Sequence, residues 1–198
     1  MIGVDEVEID FLFGFGSVNS EVHLDSTGTG TVGVEQAWVS YDVNPSLTVT
    51  VGRYGSALGL EREDPTGLYT YSRAFTAGGL NLGNVNANAV EGVALSYTVN
   101  DNFSGRVSFE DAAGANIDTD KVNVEISVAY TGVENFTLGG GFRSGNGPTA
   151  GGWADATDVI NINATYTAGK ALFGVDWIDA DQAGTASDVD AWLILLDY

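Results

Sequence analysis

The side chains of this 198-residue chain that could do chemistry are mostly carboxylates. Asp and Glu number 27 against seven Lys and Arg and one His, for a net charge of −20, and cysteine is absent. The missing thiols exclude a disulfide framework, a thiolate metal site and a cysteine nucleophile. The charge excludes a nucleic-acid surface, which needs a basic stripe. His23, the single histidine, reads as a loop residue, and without a second His neither a catalytic triad nor a zinc site is expected. The runs Gly14-Phe15-Gly16 and Gly28-Thr29-Gly30 open no helix, so they cradle no phosphate. The stretches Asp118–Asp120 and Asp179–Asp181 carry oxygen ligands that suit calcium, but without EF-hand or nonapeptide spacing they read as solvated acidic loops. No pair of carboxylates stands out for glycoside hydrolysis. The reading is of a protein with no catalytic residues, no cofactor and no metal.

The remaining charges fall into two groups. Arg53, Arg62 and Arg73, three of the seven basic residues, are interleaved with Glu61, Glu63 and Asp64 in the longest stretch lacking any periodicity. Long irregular loops in compact folds are usually functional. The other group sits singly at alternate positions: Glu8, Asp10, Arg106, Glu110, Glu125, Arg143 and Asp176, each beside an apolar row.

Those rows identify the elements that carry the charges. Apolar residues recur at every second position in 7–15, 37–43, 47–51, 93–99, 103–109, 122–130, 136–142, 160–166, 171–177 and 192–198. Period two means strands. At 44% hydrophobic and 11% aromatic, the chain has too much apolar material to be disordered. No run is long enough for a transmembrane helix, and the amino terminus shows no signal peptide. A soluble sandwich would alternate too, with its apolar face inward. Three features favour a barrel that turns that face to lipid. The segments are roughly 8–11 residues long, near what a tilted strand needs to cross a bilayer. Short connections (42–46, 98–102, 131–135, 167–170) alternate with long ones (17–31, 53–89, 111–120, 144–158, 179–188), as in outer-membrane barrels. The aromatics sort by height: Tyr41, Tyr97, Tyr130, Tyr166 and Tyr198, with Phe103 and Phe136, lie at the short-turn end, and Phe15, Phe109, Phe142, Trp177 and Trp192 at the other. Such girdles mark membrane–water interfaces. The expected fold is all-β: an antiparallel up-and-down transmembrane β-barrel of about ten strands, one domain over 1–198, with both ends on the short-turn side. Its place is the bacterial outer membrane and its surroundings are outer-membrane lipid.

The segments Glu35-Gln-Ala-Trp-Val-Ser-Tyr41, Val51-Gly-Arg-Tyr54, Leu58-Gly-Leu-Glu61 and Tyr71-Ser-Arg73 resemble the OmpL-like β-barrel porin family of the porin-2 type. The resemblance implies a channel for passive diffusion of small polar solutes or cations. It also implies that Arg53, Glu61, Arg62, Glu63, Asp64 and Arg73 fold partly into the lumen, where opposed charges filter solutes. An extracellular loop whose charges pair at the rim is the alternative. The wall charges either line water or form a salt-bridge plug. Porins commonly form trimers, so a homo-trimer is the expected assembly, although no interface patch is legible. Tyr198 stands where its earlier counterparts run into a turn, so the chain is expected to be part of a larger barrel. Two other readings remain: a small closed barrel acting as a structural, adhesive or ligand-binding protein through acidic loops, and a secreted β-sandwich binding carbohydrate or calcium.

Overall fold

The computed structural model describes residues 7–26, 30–60, 90–111, 122–144, 156–182 and 189–198. Among these lie eleven strands: β1 (Val7–Phe15), β2 (Val18–Ser26), β3 (Gly33–Asn44), β4 (Leu47–Tyr54), β5 (Val90–Asn100), β6 (Phe103–Asp111), β7 (Val122–Val133), β8 (Phe136–Ser144), β9 (Ala156–Ala168), β10 (Ala171–Gln182) and β11 (Val189–Asp197). They form one sheet in sequential order, each strand hydrogen-bonded to its chain neighbours. All pairs are antiparallel.

The strand missing from the sequence reading is β2, which occupies part of the expected loop 17–31. Its outer row is Val18, Ser20, Val22 and Leu24, and its inner row is Asn19, Glu21, His23 and Asp25. A serine in the apolar row and a polar partner row leave little contrast to detect. Pairing supplies what the pattern lacks, because Phe13, Phe11 and Ile9 stand opposite Ser20, Val22 and Leu24. With β2 in place, β1 ends at a two-residue turn, so Phe15 belongs to the short-turn aromatic row and not to the opposite one. β1 and β11 therefore run in the same direction, and the chain does not have both ends on the short-turn side. β10 also reaches further than expected, taking in Asp179 and Asp181.

Polarity is inverted relative to a soluble sandwich. Outward residues are apolar and exposed, as with Val128 (61%), while inward Glu125 (1%) and Asp176 (0%) are buried. The short turns are tied to one another. The amides of Asp42, Thr98, Thr131 and Thr167, each following a girdle tyrosine, donate to carbonyls of Ser17, Ser46, Asn102 and Asn135 in the preceding turns. The Tyr-centred repeat is thus a repeated turn-to-strand bond. Gly16 and Gly169 open two of the turns with positive φ (61° and 64°), the conformation that suits two-residue hairpins.

Placing a charge on the outer row tests this orientation. Val128→Arg, in mid-strand, should destabilise the lipid-inserted protein by about 2–4 kcal/mol, whereas Val99→Arg, beside a short turn, should cost about 0–1 kcal/mol. Urea unfolding in liposomes reads the difference.

Candidate functional site

After Tyr54 the chain leaves β4 and crosses the inner face of the sheet through Gly55–Leu60. Its path is read from its bonds. Arg106 on β6 donates from Nη1 to the Gly55 carbonyl (3.1 Å). Ser56 Oγ and the Ala57 amide both donate to the Glu125 carboxylate on β7 (2.5 and 2.7 Å). The Gly59 amide donates to Asn161 Oδ1 on β9 (3.0 Å), and the Leu60 amide to Asp176 Oδ2 on β10 (2.7 Å). Asn161 in turn donates from Nδ2 to Asp176. Leu58 is fully buried against Val159, Ile178, Ala180, Ala191 and Leu193.

This path requires curvature. Six residues extend at most about 20 Å. Six strand spacings along a flat sheet, from β4 to β10, cover about 29 Å. The segment joins these strands as a chord, so the sheet must curl around it. Two glycines allow its close approach to the wall. A Cβ on Gly141 would lie 2.5 Å from Leu58 Cδ2, and one on Gly174 would lie 2.9 Å from Leu60 Cδ2.

Most of the expected wall charges are therefore structural. Glu125 and Asp176 accept amides of the inserted segment. Glu110 pairs with Arg143 at 3.0 Å and accepts from Ser108 Oγ at 2.7 Å. Arg106 lies over the Tyr54 ring, 4.6 Å from its centroid. Glu8 and Asp10 lie apart from these, on the inner face of β1 beside His23. Arg53, expected in the constriction, falls on the outward row at the end of β4 and faces Glu91 at 3.8 Å. Glu61, Arg62, Glu63, Asp64 and Arg73 lie outside the described residues. Of the girdle, Tyr41, Tyr97, Tyr166, Phe109, Phe142, Trp192 and Tyr198 are exposed on the outside. Phe103 stacks near Tyr130 (4.6 Å), and Trp177 faces Trp192 (6.0 Å). Sequence reading missed Ser56, Leu58, Leu60 and Asn161 as contact residues. Of these, only Leu58 and Leu60 carried a signal, in the Leu58-Gly-Leu motif. Sequence reading also placed His23 in a loop, whereas it lies in β2.

The inserted segment borders two spaces large enough for several waters. One, about 380 Å³, is lined by Glu21, His23, Trp38, Tyr54, Gly55 and Arg106, among others. The other, about 370 Å³, lies toward the short turns and is lined by Ser46, Thr48, Ser104, Ser127, Thr137 and Asn163, among others. Ser96 and Arg106 border both.

An apolar exterior, a polar interior and a chord of chain across it define a membrane-spanning β-barrel of the outer-membrane channel class. A family model described as beta-barrel porin-2, OmpL-like, matches residues 3–192, and the chain belongs to that porin family, whose place is the bacterial outer membrane. A comparison with curated proteins gives no match. Among solved structures the chain is similar to a triple mutant of the Rh. blastica porin (TM-score 0.51, 15% identity, covering 98% of this chain and 79% of that one). It is also similar to a double mutant of the same porin (TM-score 0.50, 16% identity, the same coverage). At such identities the likeness is one of fold.

Removing an anchor should loosen the segment without unfolding the barrel. Glu125→Ala deletes the acceptor of two hydrogen bonds to a charged group, each worth about 1.5–3 kcal/mol. Limited proteolysis should then cut near Gly55–Leu60 at least tenfold faster, while heat-modifiable migration of the barrel is retained. Unchanged cleavage would mean that Glu125 does not hold the segment.

Proposed function

We propose that the chain builds, within one barrel domain, the wall and constriction of a passive channel for small polar solutes with a preference for cations. The observation that carries this reading is the inserted segment, which narrows a polar interior without filling it: spaces of about 380 and 370 Å³ remain, both bordered by Arg106 and Ser96. A constriction lined by opposed charges filters by size and by sign.

The sign follows from which charges are already engaged. Arg143 is tied to Glu110, and Arg106 to the Gly55 carbonyl and the Tyr54 ring. The inner rows of β1 and β2 carry Glu8, Asp10, Glu21 and Asp25. The field along this wall is negative, which raises the local concentration of cations. Glu61, Arg62, Glu63, Asp64 and Arg73, which follow the inserted segment in sequence, are proposed to add to the filter.

Planar-bilayer recording under a potassium chloride gradient tests the proposal. The reversal potential should take the sign for cation permeability, and Glu21→Gln combined with Asp10→Asn should move it toward zero. Absence of conductance, or anion preference, would overturn the reading.

A further inference from the structure

His23 projects from the inner row of β2 with its side chain 15% exposed, and each ring nitrogen faces a carboxylate. Nε2 lies 3.1 Å from Glu21 Oε2. Nδ1 lies 3.1 Å from Glu8 Oε1 and 3.6 Å from Asp10 Oδ1. Glu35 approaches from the third strand. His23 pairs with Gln36 and Leu24 with Val34, so Glu35 is the additional residue of a β-bulge beside the histidine. Bulges re-aim side chains in this way. Glu8, His23 and Glu35 each present one ligand atom, and these atoms lie within 4.8 Å of one another.

We propose that His23, Glu8 and Glu35 form a site for a divalent transition-metal cation of the zinc type on the inner wall of β1–β3. One imidazole with two carboxylates is a nitrogen–oxygen donor set that suits zinc and its neighbours in the first transition row. Ligand atoms in a tetrahedral zinc shell stand about 3.4 Å apart. The Glu8–His23 separation of 3.1 Å is already close to this, and Glu35, within 4.8 Å of both, reaches it by a side-chain rotation. Glu21 completes the arrangement. By accepting the Nε2 proton it fixes the tautomer whose Nδ1 lone pair points to Glu8, as carboxylates do behind metal-bound histidines. The metal takes the place of the proton that Nδ1 shares with Glu8. Asp10 or water fills the fourth position. Glu21 and His23 also line the space of about 380 Å³, so a bound cation stands beside the solute path.

The imidazole separates this site from a merely acidic wall, since hard cations such as magnesium take oxygen ligands and do not need it. The full chain, folded in detergent micelles and free of chelators, is titrated with zinc chloride by calorimetry and with cobalt chloride by visible absorption. One equivalent of zinc should bind, cobalt should give ligand-field bands, and millimolar magnesium should not displace either. His23→Ala should weaken zinc binding at least tenfold and abolish the bands. Glu35→Gln, which leaves the histidine in place, should weaken it several-fold. Heat-modifiable migration identifies the folded variants. No saturable zinc binding, binding unchanged by both substitutions, or displacement by magnesium would overturn the site. These binding measurements stand apart from conductance, so failure of the channel reading and failure of the metal site are distinguishable.

Discussion

Six residues cross the interior of this sheet with no strand beside them, and their amides still require acceptors. Leaving a buried donor unpaired costs about 1–3 kcal/mol. Glu125, Asn161 and Asp176 remove that cost by offering side-chain oxygens from three different strands. The arrangement works in both directions, because a carboxylate held at 0–1% exposure also needs donors. The inserted backbone and the buried acids satisfy one another, and the shape of the interior follows from that exchange.

A second constraint acts on the outside. In hydrocarbon no water satisfies a free peptide group, so strand pairing has to carry the backbone; β2 to β10 are paired on both sides, and β1 and β11 on one. Period-two alternation then delivers a lipid-compatible outer row and a polar inner row from the same strand. The pairing is close enough that some positions accept no side chain: a Cβ on Gly92 would lie 2.1 Å from the Phe109 carbonyl oxygen.

The inner wall is not uniform. β9–β11 present Val159, Ile178, Ala180, Ala191 and Leu193 to Leu58, forming a small apolar core. β1–β3 present carboxylates and His23. The inserted segment leans on the apolar side, so water and charge are left to the other. Arg106 marks the boundary, with its guanidinium over Tyr54 and its Nη1 on Gly55. The asymmetry leaves the acidic wall on the open side of the inserted segment, while Glu125 and Asp176 hold that segment and Glu110 pairs with Arg143.

The sequence by itself determined the barrel. Alternation, strand length, the short–long order of connections and the height of the aromatics are local properties, and each element reports its own share. It failed locally at β2, where a serine in the outer row and a polar inner row erased the contrast that marks a strand. It also left the wall charges undecided. Glu125 and Asp176 look the same in sequence whether they face water or the amides of Ala57 and Leu60, because the difference lies in residues 68 and 116 positions away. Arg53 was misplaced because the loop was expected to begin at residue 53, whereas β4 runs on to Tyr54 and keeps Arg53 in the outward row of Leu47, Val49 and Val51. The gathering of Glu8, His23 and Glu35 was illegible because it joins three strands, and for an added reason. It depends on a bulge in β3, and a bulge is fixed by the pairing of two strands and not by the residues of either alone. Tertiary structure decided which polar groups hold the inserted segment, because its acceptors come from strands far apart in the chain.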